Sequence, residues 1–135
     1  EAGTHNVAGF CGLLEGIRFV RSLGTEEILA REQKITRFLA QQLGQIPGVR
    51  IFTAEDADQT GVLSILVEGQ DCEQTGQLLA ERGIAVRAGL HCAPVAHESA
   101  GTLKSGTVRI SCSVFNTMHQ ARKLVSVMQR IQKLC

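Results

Sequence analysis

The apolar positions of the chain follow two periods in turn. From Asn6 to about Leu23 they recur at three- and four-residue steps, through Val7, Phe10, Cys11, Leu14 and Ile17, which predicts one face of an amphipathic helix stopped by Gly24. Thr25, followed by Glu26 and Glu27, reads as a cap with acids in the first turn, and Ile28, Ile35, Phe38, Leu39 and Leu43 carry a second helix to Gly44. After Pro47, "PGVRIFT" predicts a short strand. The polar stretch "AEDADQT" separates it from "GVLSILVEG", whose β-branched and leucine residues on both faces predict a strand covered on both sides. Asp71 with Gln74 three residues later resembles a capping box, which predicts a helix through Leu78 and Leu79 to Gly83. "IAVRA" is a third strand. "TVRISCS" is a fourth, with Val108, Ile110 and Cys112 on one face and Arg109, Ser111 and Ser113 on the other. Thr117 with Gln120 begins a last helix, whose Ala121, Leu124, Val125, Met128 and Ile131 form a continuous stripe.

Two helices, two strands, a helix, two strands and a final helix predict an α+β two-layer domain, its helices on one face of a small, mainly antiparallel sheet. A length of 135 residues suits one domain with its own core. No internal repeat, low-complexity segment or linker divides it. The first residue is Glu rather than Met, which reads as a piece of a longer or processed chain.

Composition narrows the functions. Fourteen Lys and Arg against thirteen Asp and Glu give a net charge of +1, which supplies no field to recruit nucleic acid or an anionic membrane. With aromatics at 4% and no Trp or Tyr, a base-stacking platform is also unsupported. No run of about 18 apolar residues predicts a membrane span, and no basic-then-apolar leader is present. Cys11, Cys72, Cys92, Cys112 and Cys135 are odd in number, dispersed and free of CxxC pairs, as in a reduced, cytoplasmic chain.

The stretch from Ala88 to Gly106 is longer than an ordinary connection, and it holds the residues with chemical potential. Gly89, Gly101 and Gly106 permit unusual backbone angles, while Arg87, His91 and His97 lie close in sequence to Cys92 and favour a thiolate there. On spacing alone, an incidental surface thiol explains the loop equally well. A metal site built from His91, Cys92, His97 and Cys112 is poorly supported, because His91 and Cys92 are adjacent and neither CxxC nor HxxxH occurs. Arg109, on a strand, either pairs structurally or holds a carboxylate in two bonds. His5 and His119 read as solvent-facing.

Three blocks, "EAGTHN" (1–6), "VRAGLHCA" (86–93) and "VRISCSVFNT" (108–117), together resemble the C-terminal part of class V aminotransferase-fold enzymes, nearest to the cysteine desulfurases and selenocysteine lyases of the SufS-like group. The resemblance runs over essentially the whole chain. It implies that residues 1–135 are the C-terminal small domain of a pyridoxal 5'-phosphate enzyme that removes sulfur from L-cysteine as a persulfide and leaves alanine. It implies Cys92 as the nucleophile, Arg109 as the clamp on the substrate carboxylate and Arg87 as a second cation. Thr4 is implied to reach the cofactor phosphate of a partner subunit, hence a homodimer, with a sulfur-acceptor protein downstream and iron–sulfur cluster assembly as the destination. The Schiff-base lysine belongs to an N-terminal cofactor domain outside these residues. Lys34, Lys104, Lys123 and Lys133 match none of its motifs, so the isolated chain is expected to be inactive. His5 stands where many relatives carry proline. Alternative readings are a selenocysteine lyase, a class V aminotransferase, or a non-enzymatic sulfur-carrier or interaction domain.

Overall fold

A computed structural model describes residues 3–54 and 59–132. Five helices and four strands follow one another as α1 (Val7–Leu23), α2 (Thr25–Leu43), β1 (Val49–Phe52), β2 (Val62–Val67), α3 (Cys72–Ala80), β3 (Arg87–Gly89), α4 (Pro94–Ser99), β4 (Thr107–Ser111) and α5 (Met118–Gln132). The strands pair in the order β1-β2-β4-β3, every neighbour antiparallel. The α+β two-layer architecture expected from the pattern is the one observed.

Where the apolar period is long and capped, sequence and structure agree. In α5 the predicted stripe is buried throughout, and its first turn closes as a reciprocal box: the Thr117 backbone N–H donates to Gln120 Oε1 at 2.9 Å, and the Gln120 N–H to Thr117 Oγ1 at 3.3 Å. Asp71 caps α3, accepting from the N–H groups of Glu73 and Gln74. Together α2, α3 and α5 close a core over the sheet in which Leu39, Leu43, Leu63, Ile65, Leu79, Met128 and Ile131 are sealed from solvent.

Four details differ from the sequence reading. Thr25 is the first residue of α2 rather than its cap; Gly24, at φ +82°, turns the chain from α1 into α2 without a side-chain bond. The third strand is shorter and later than "IAVRA", because the Ile84 N–H is spent on the carbonyl of Leu79 to finish α3. Only one face of β2 is covered: Leu63, Ile65 and Val67 are buried, while Val62, Ser64 and Leu66 are exposed or half-buried. The loop after β3 holds an unanticipated helix, α4, six residues long and begun by Pro94 at its first turn.

Helix α1 forms as its spacing predicts, yet none of its residues is buried. Among the described helices and strands it packs against α2, and Val7, Phe10, Leu13, Leu14 and Ile17 stay exposed, while Phe19 stacks on Phe115 of the β4–α5 connection with ring centroids 5.3 Å apart. The polar "AEDADQT" connection lies partly outside the described residues. Its described end is pinned by Gln59, whose Oε1 accepts the Ala54 N–H at 2.8 Å.

Candidate active site

Side chains alternate across a strand, so burying Val108 and Ile110 under the helices sends Thr107, Arg109 and Ser111 to the other face. The register then sets Arg109 between Ser64 of β2 and Arg87 of β3. Two guanidiniums thus stand directly opposite each other, an arrangement that like-charge repulsion disfavours. Neither has an acidic partner among the described residues, whose ion pairs join Arg18 to Glu15, Arg31 to Glu27 and Arg82 to Glu81. Nε of Arg109 is moreover buried without a hydrogen-bond acceptor. The pair therefore presents two cationic forks on one sheet face, a geometry compatible with holding an anion.

Cys92 meets this pair from the segment that follows β3. The N–H of Ala93 bonds the carbonyl of Leu90 at 2.9 Å, closing a four-residue turn whose central residues, His91 (φ +54°) and Cys92 (φ +59°), are both left-handed. The exposed thiol comes to 4.0 Å from Nη2 of Arg87. Gly106 permits the approach of the two chain segments here: a Cβ on it would stand 2.8 Å from the Cys72 sulfur and 3.1 Å from the backbone of Gly89.

The histidines do not act on the thiol as their proximity in sequence suggests. His91 turns to β4, with Nε2 3.2 Å from Thr107 Oγ1, and its Nδ1 is buried without a partner. Burial, reinforced by Arg109, His97 and Arg87, holds its affinity for a proton below that of a free imidazole, so the ring is a neutral neighbour rather than a third cation. His97 is buried on α4, its Nδ1 2.8 Å from Thr102 Oγ1. Of the three residues expected to favour the thiolate, Arg87 is the one whose charged group reaches it. His5 and His119 are exposed, as expected.

The remaining cysteines have other surroundings. Burial pushes the thiols of Cys72 and Cys112 up, and Cys112 lies beside Thr36 and Glu32 on the helix side of the sheet. Cys11 is exposed on α1, and Cys135 lies outside the described residues. Among the described residues no three metal-ligating side chains are gathered in one place. Thr4 is exposed ahead of α1, and no described hydrogen bond links it to the Cys92 turn. Of the four residues the sequence singled out, the fold brings Cys92, Arg87 and Arg109 to one edge of the open sheet face and leaves Thr4 outside that group. The opposition of Arg87 and Arg109, and the His91–Thr107 contact, were not read from the sequence, since both depend on strand register.

The aminotransferase class-V family matches residues 1–124, and the chain belongs to it. Among curated relatives it is 33% identical over 134 residues to a probable cysteine desulfurase of Xylella fastidiosa, with 99% of this chain and 32% of the relative covered. It is 38% identical over 132 residues to the cysteine desulfurase of Synechococcus elongatus, with 98% and 21% covered. Among solved structures, the apo cysteine desulfurase of Thermococcus onnurineus superposes with a TM-score of 0.91 at 30% identity, over 100% of this chain and 33% of the other. Cysteine desulfurase CsdA of Escherichia coli gives 0.88 at 30%, over 99% and 32%. The chain spans about a third, or less, of the length of each of these proteins. No helix among the described residues is long and apolar enough to cross a membrane.

Proposed function

We propose that residues 1–135 are the C-terminal domain of a cytoplasmic, homodimeric, pyridoxal 5'-phosphate-dependent cysteine desulfurase, in which Cys92 receives the sulfur of L-cysteine. The observation that carries this reading is the Arg87–Arg109 pair, opposed across two strands without an acid, beside the Cys92 thiol. The buried, unpartnered Nε of Arg109 supports the fit of an amino-acid carboxylate next to the cofactor. The cofactor, held by the remainder of the protein, would supply an electron sink for the substrate amino acid.

This chain's own residues have three tasks. Arg109 binds the substrate carboxylate through its planar fork and fixes the amino acid's orientation. Arg87 adds charge on the same side, with its Nη2 4.0 Å from the Cys92 sulfur. The thiolate forms a sulfur–sulfur bond to the substrate sulfur as the substrate's Cβ–S bond breaks. The electron pair of that bond leaves with Cβ, which takes up a proton, so alanine departs and Cys92 keeps a persulfide. No external oxidant or reductant is needed. A sulfur-acceptor protein, in the service of iron–sulfur cluster assembly, then removes the sulfur from the exposed turn.

Thr4 is assigned to the cofactor phosphate of the partner subunit, a role that its exposure ahead of α1 suits. The apolar surface of α1, unburied along its whole length, fits a helix covered by the other two thirds of the protein. The free state of every described cysteine suits a reducing compartment. An aminotransferase has no use for a thiol at this turn, which favours sulfur chemistry.

The test is to replace each of the five cysteines with serine in the full-length protein, supply L-cysteine, and locate bound sulfane sulfur by mass spectrometry without reductant. Cys92→Ser is expected to abolish the persulfide while cofactor binding persists, and the other four variants to retain it. A persulfide surviving in Cys92→Ser would refute the assignment.

A further inference from the structure

Cys92 sits in a turn that its own sequence does not favour. Both central residues, His91 and Cys92, are left-handed, and neither is glycine, whereas turns of this hand ordinarily recruit asparagine and glycine. Such backbone persists only where its surroundings over-determine it. The Leu90–Ala93 hydrogen bond closes the turn but does not tie it to the rest of the domain.

The tie is the His91 ring. Its Nε2 lies 3.2 Å from the hydroxyl of Thr107, which is 3% exposed, begins β4 and stands opposite Gly89 in the ladder. Thr107 is the only hydrogen-bond partner described for the ring, since Nδ1 has none. On its other side the ring meets His97, centroids 5.7 Å apart, and His97 is itself latched to Thr102. The turn is thus tied to β4 through the His91 ring and touches β3 through the Cys92–Arg87 contact, while His97 ties α4 to the segment that follows it.

We propose that His91 and Thr107 act together as positioning residues: their hydrogen bond holds the left-handed turn that presents the Cys92 thiol to Arg87. The imidazole suits this task because, kept neutral by burial, it adds no third charge to the arginine pair. Breaking the bond frees residues 91 and 92 to relax toward ordinary backbone angles and carries the thiol away from Arg87. The consequence for turnover rests on Cys92 being the sulfur carrier; the clamp itself does not.

The experiment compares Thr107→Val, which keeps the β-branch and removes the hydroxyl, with Thr107→Ser, which keeps the hydroxyl. Alkylation of Cys92 by iodoacetamide is followed in the cofactor-free full-length protein at pH 7, with Cys92→Ser identifying the labelled site. Thr107→Val is expected to slow alkylation about fivefold, and Thr107→Ser to stay within about twofold of the parent. His91→Asn, which tolerates the left-handed backbone but shortens the reach, should slow it as much as Thr107→Val, and the double variant no further. Single-turnover loading of sulfur onto Cys92 should fall about tenfold in Thr107→Val with KM for cysteine unchanged. Equal rates in Thr107→Val and parent, equal losses in the valine and serine variants, or multiplying losses in the double variant would each overturn the clamp. Should Thr107→Val fold poorly, the His91→Asn alkylation rate decides by itself. If the parent carries no sulfur on Cys92, the desulfurase reading fails while the alkylation rates still judge the clamp.

Discussion

On one face of the sheet Leu63, Ile65, Val108 and Ile110 lie beneath the helices, almost wholly removed from water; on the other, Ser64, Arg109 and Arg87 form a row in which two like charges oppose each other. The first face is built for stability, since each apolar side chain removed from water adds roughly 1.5 to 3 kcal/mol. The second gives stability up, because opposed guanidiniums without carboxylates repel. Strand β4 serves both, with alternate residues assigned to the two jobs. One side of the strand thus removes apolar surface from water, while the other holds a pair of charges that stability alone does not favour.

The contrast is broken most forcefully on the packed side. Leu63→Ala leaves a cavity in the middle of the core and is expected to cost about 2 to 5 kcal/mol of unfolding free energy. Chemical denaturation measures it, and a loss below about 1 kcal/mol would mean that the core relaxes around the site. The open face should behave in the opposite way. Arg109→Lys in the full-length protein is expected to weaken L-cysteine binding by about 1.5 to 3 kcal/mol while the melting temperature holds, because a point charge cannot replace a two-bond fork. An unchanged KM would make Arg109 a structural residue and erase the distinction between the faces.

The smallest effect sharpens the boundary between them. The proton affinity of His91 is lower in the folded state than its ordinary value of 6.5, chiefly through burial and then through Arg109, His97 and Arg87. Its contribution is fully present above that value and is lost as pH falls below it, since the unfolded chain takes up the proton first. His91→Gln should therefore flatten the fall in stability from pH 7.5 to pH 5 relative to the parent. Superimposable pH profiles by thermal melting would show that the ring is not buried among those cations.

Much of this was legible in order of residues alone, and the particular elements show why. The stripe of α5 and the caps at Asp71 and Thr117 are local: a period and a hydrogen bond three residues away suffice to specify them. The three blocks that carry the family resemblance are local as well, and they pointed to the family now found to match residues 1–124. Short elements were less readable. Six-residue α4 spans too few turns to show a period, and the start of β3 gave way to the hydrogen bond that ends α3. The amphipathic stripe of α1 predicted the helix but not its partner, and α2 alone does not bury it.

What the sequence determined by itself is the longer elements, with α4 left unseen, and the apolar side of most of them; it also singled out Cys92, Arg87 and Arg109 as candidates, and Thr4 through the family resemblance. What the tertiary structure decided is which of those meet. Arg87 opposes Arg109 because β3 pairs with β4 in one register, and a slip by one residue would send them to opposite faces. His91, by sequence a neighbour of the thiol, is by structure a ligand of Thr107, sixteen positions away. Local sequence sets backbone preference and face; register and burial, which sum contributions from distant segments, set distance and charge, and those decide what a thiol can do.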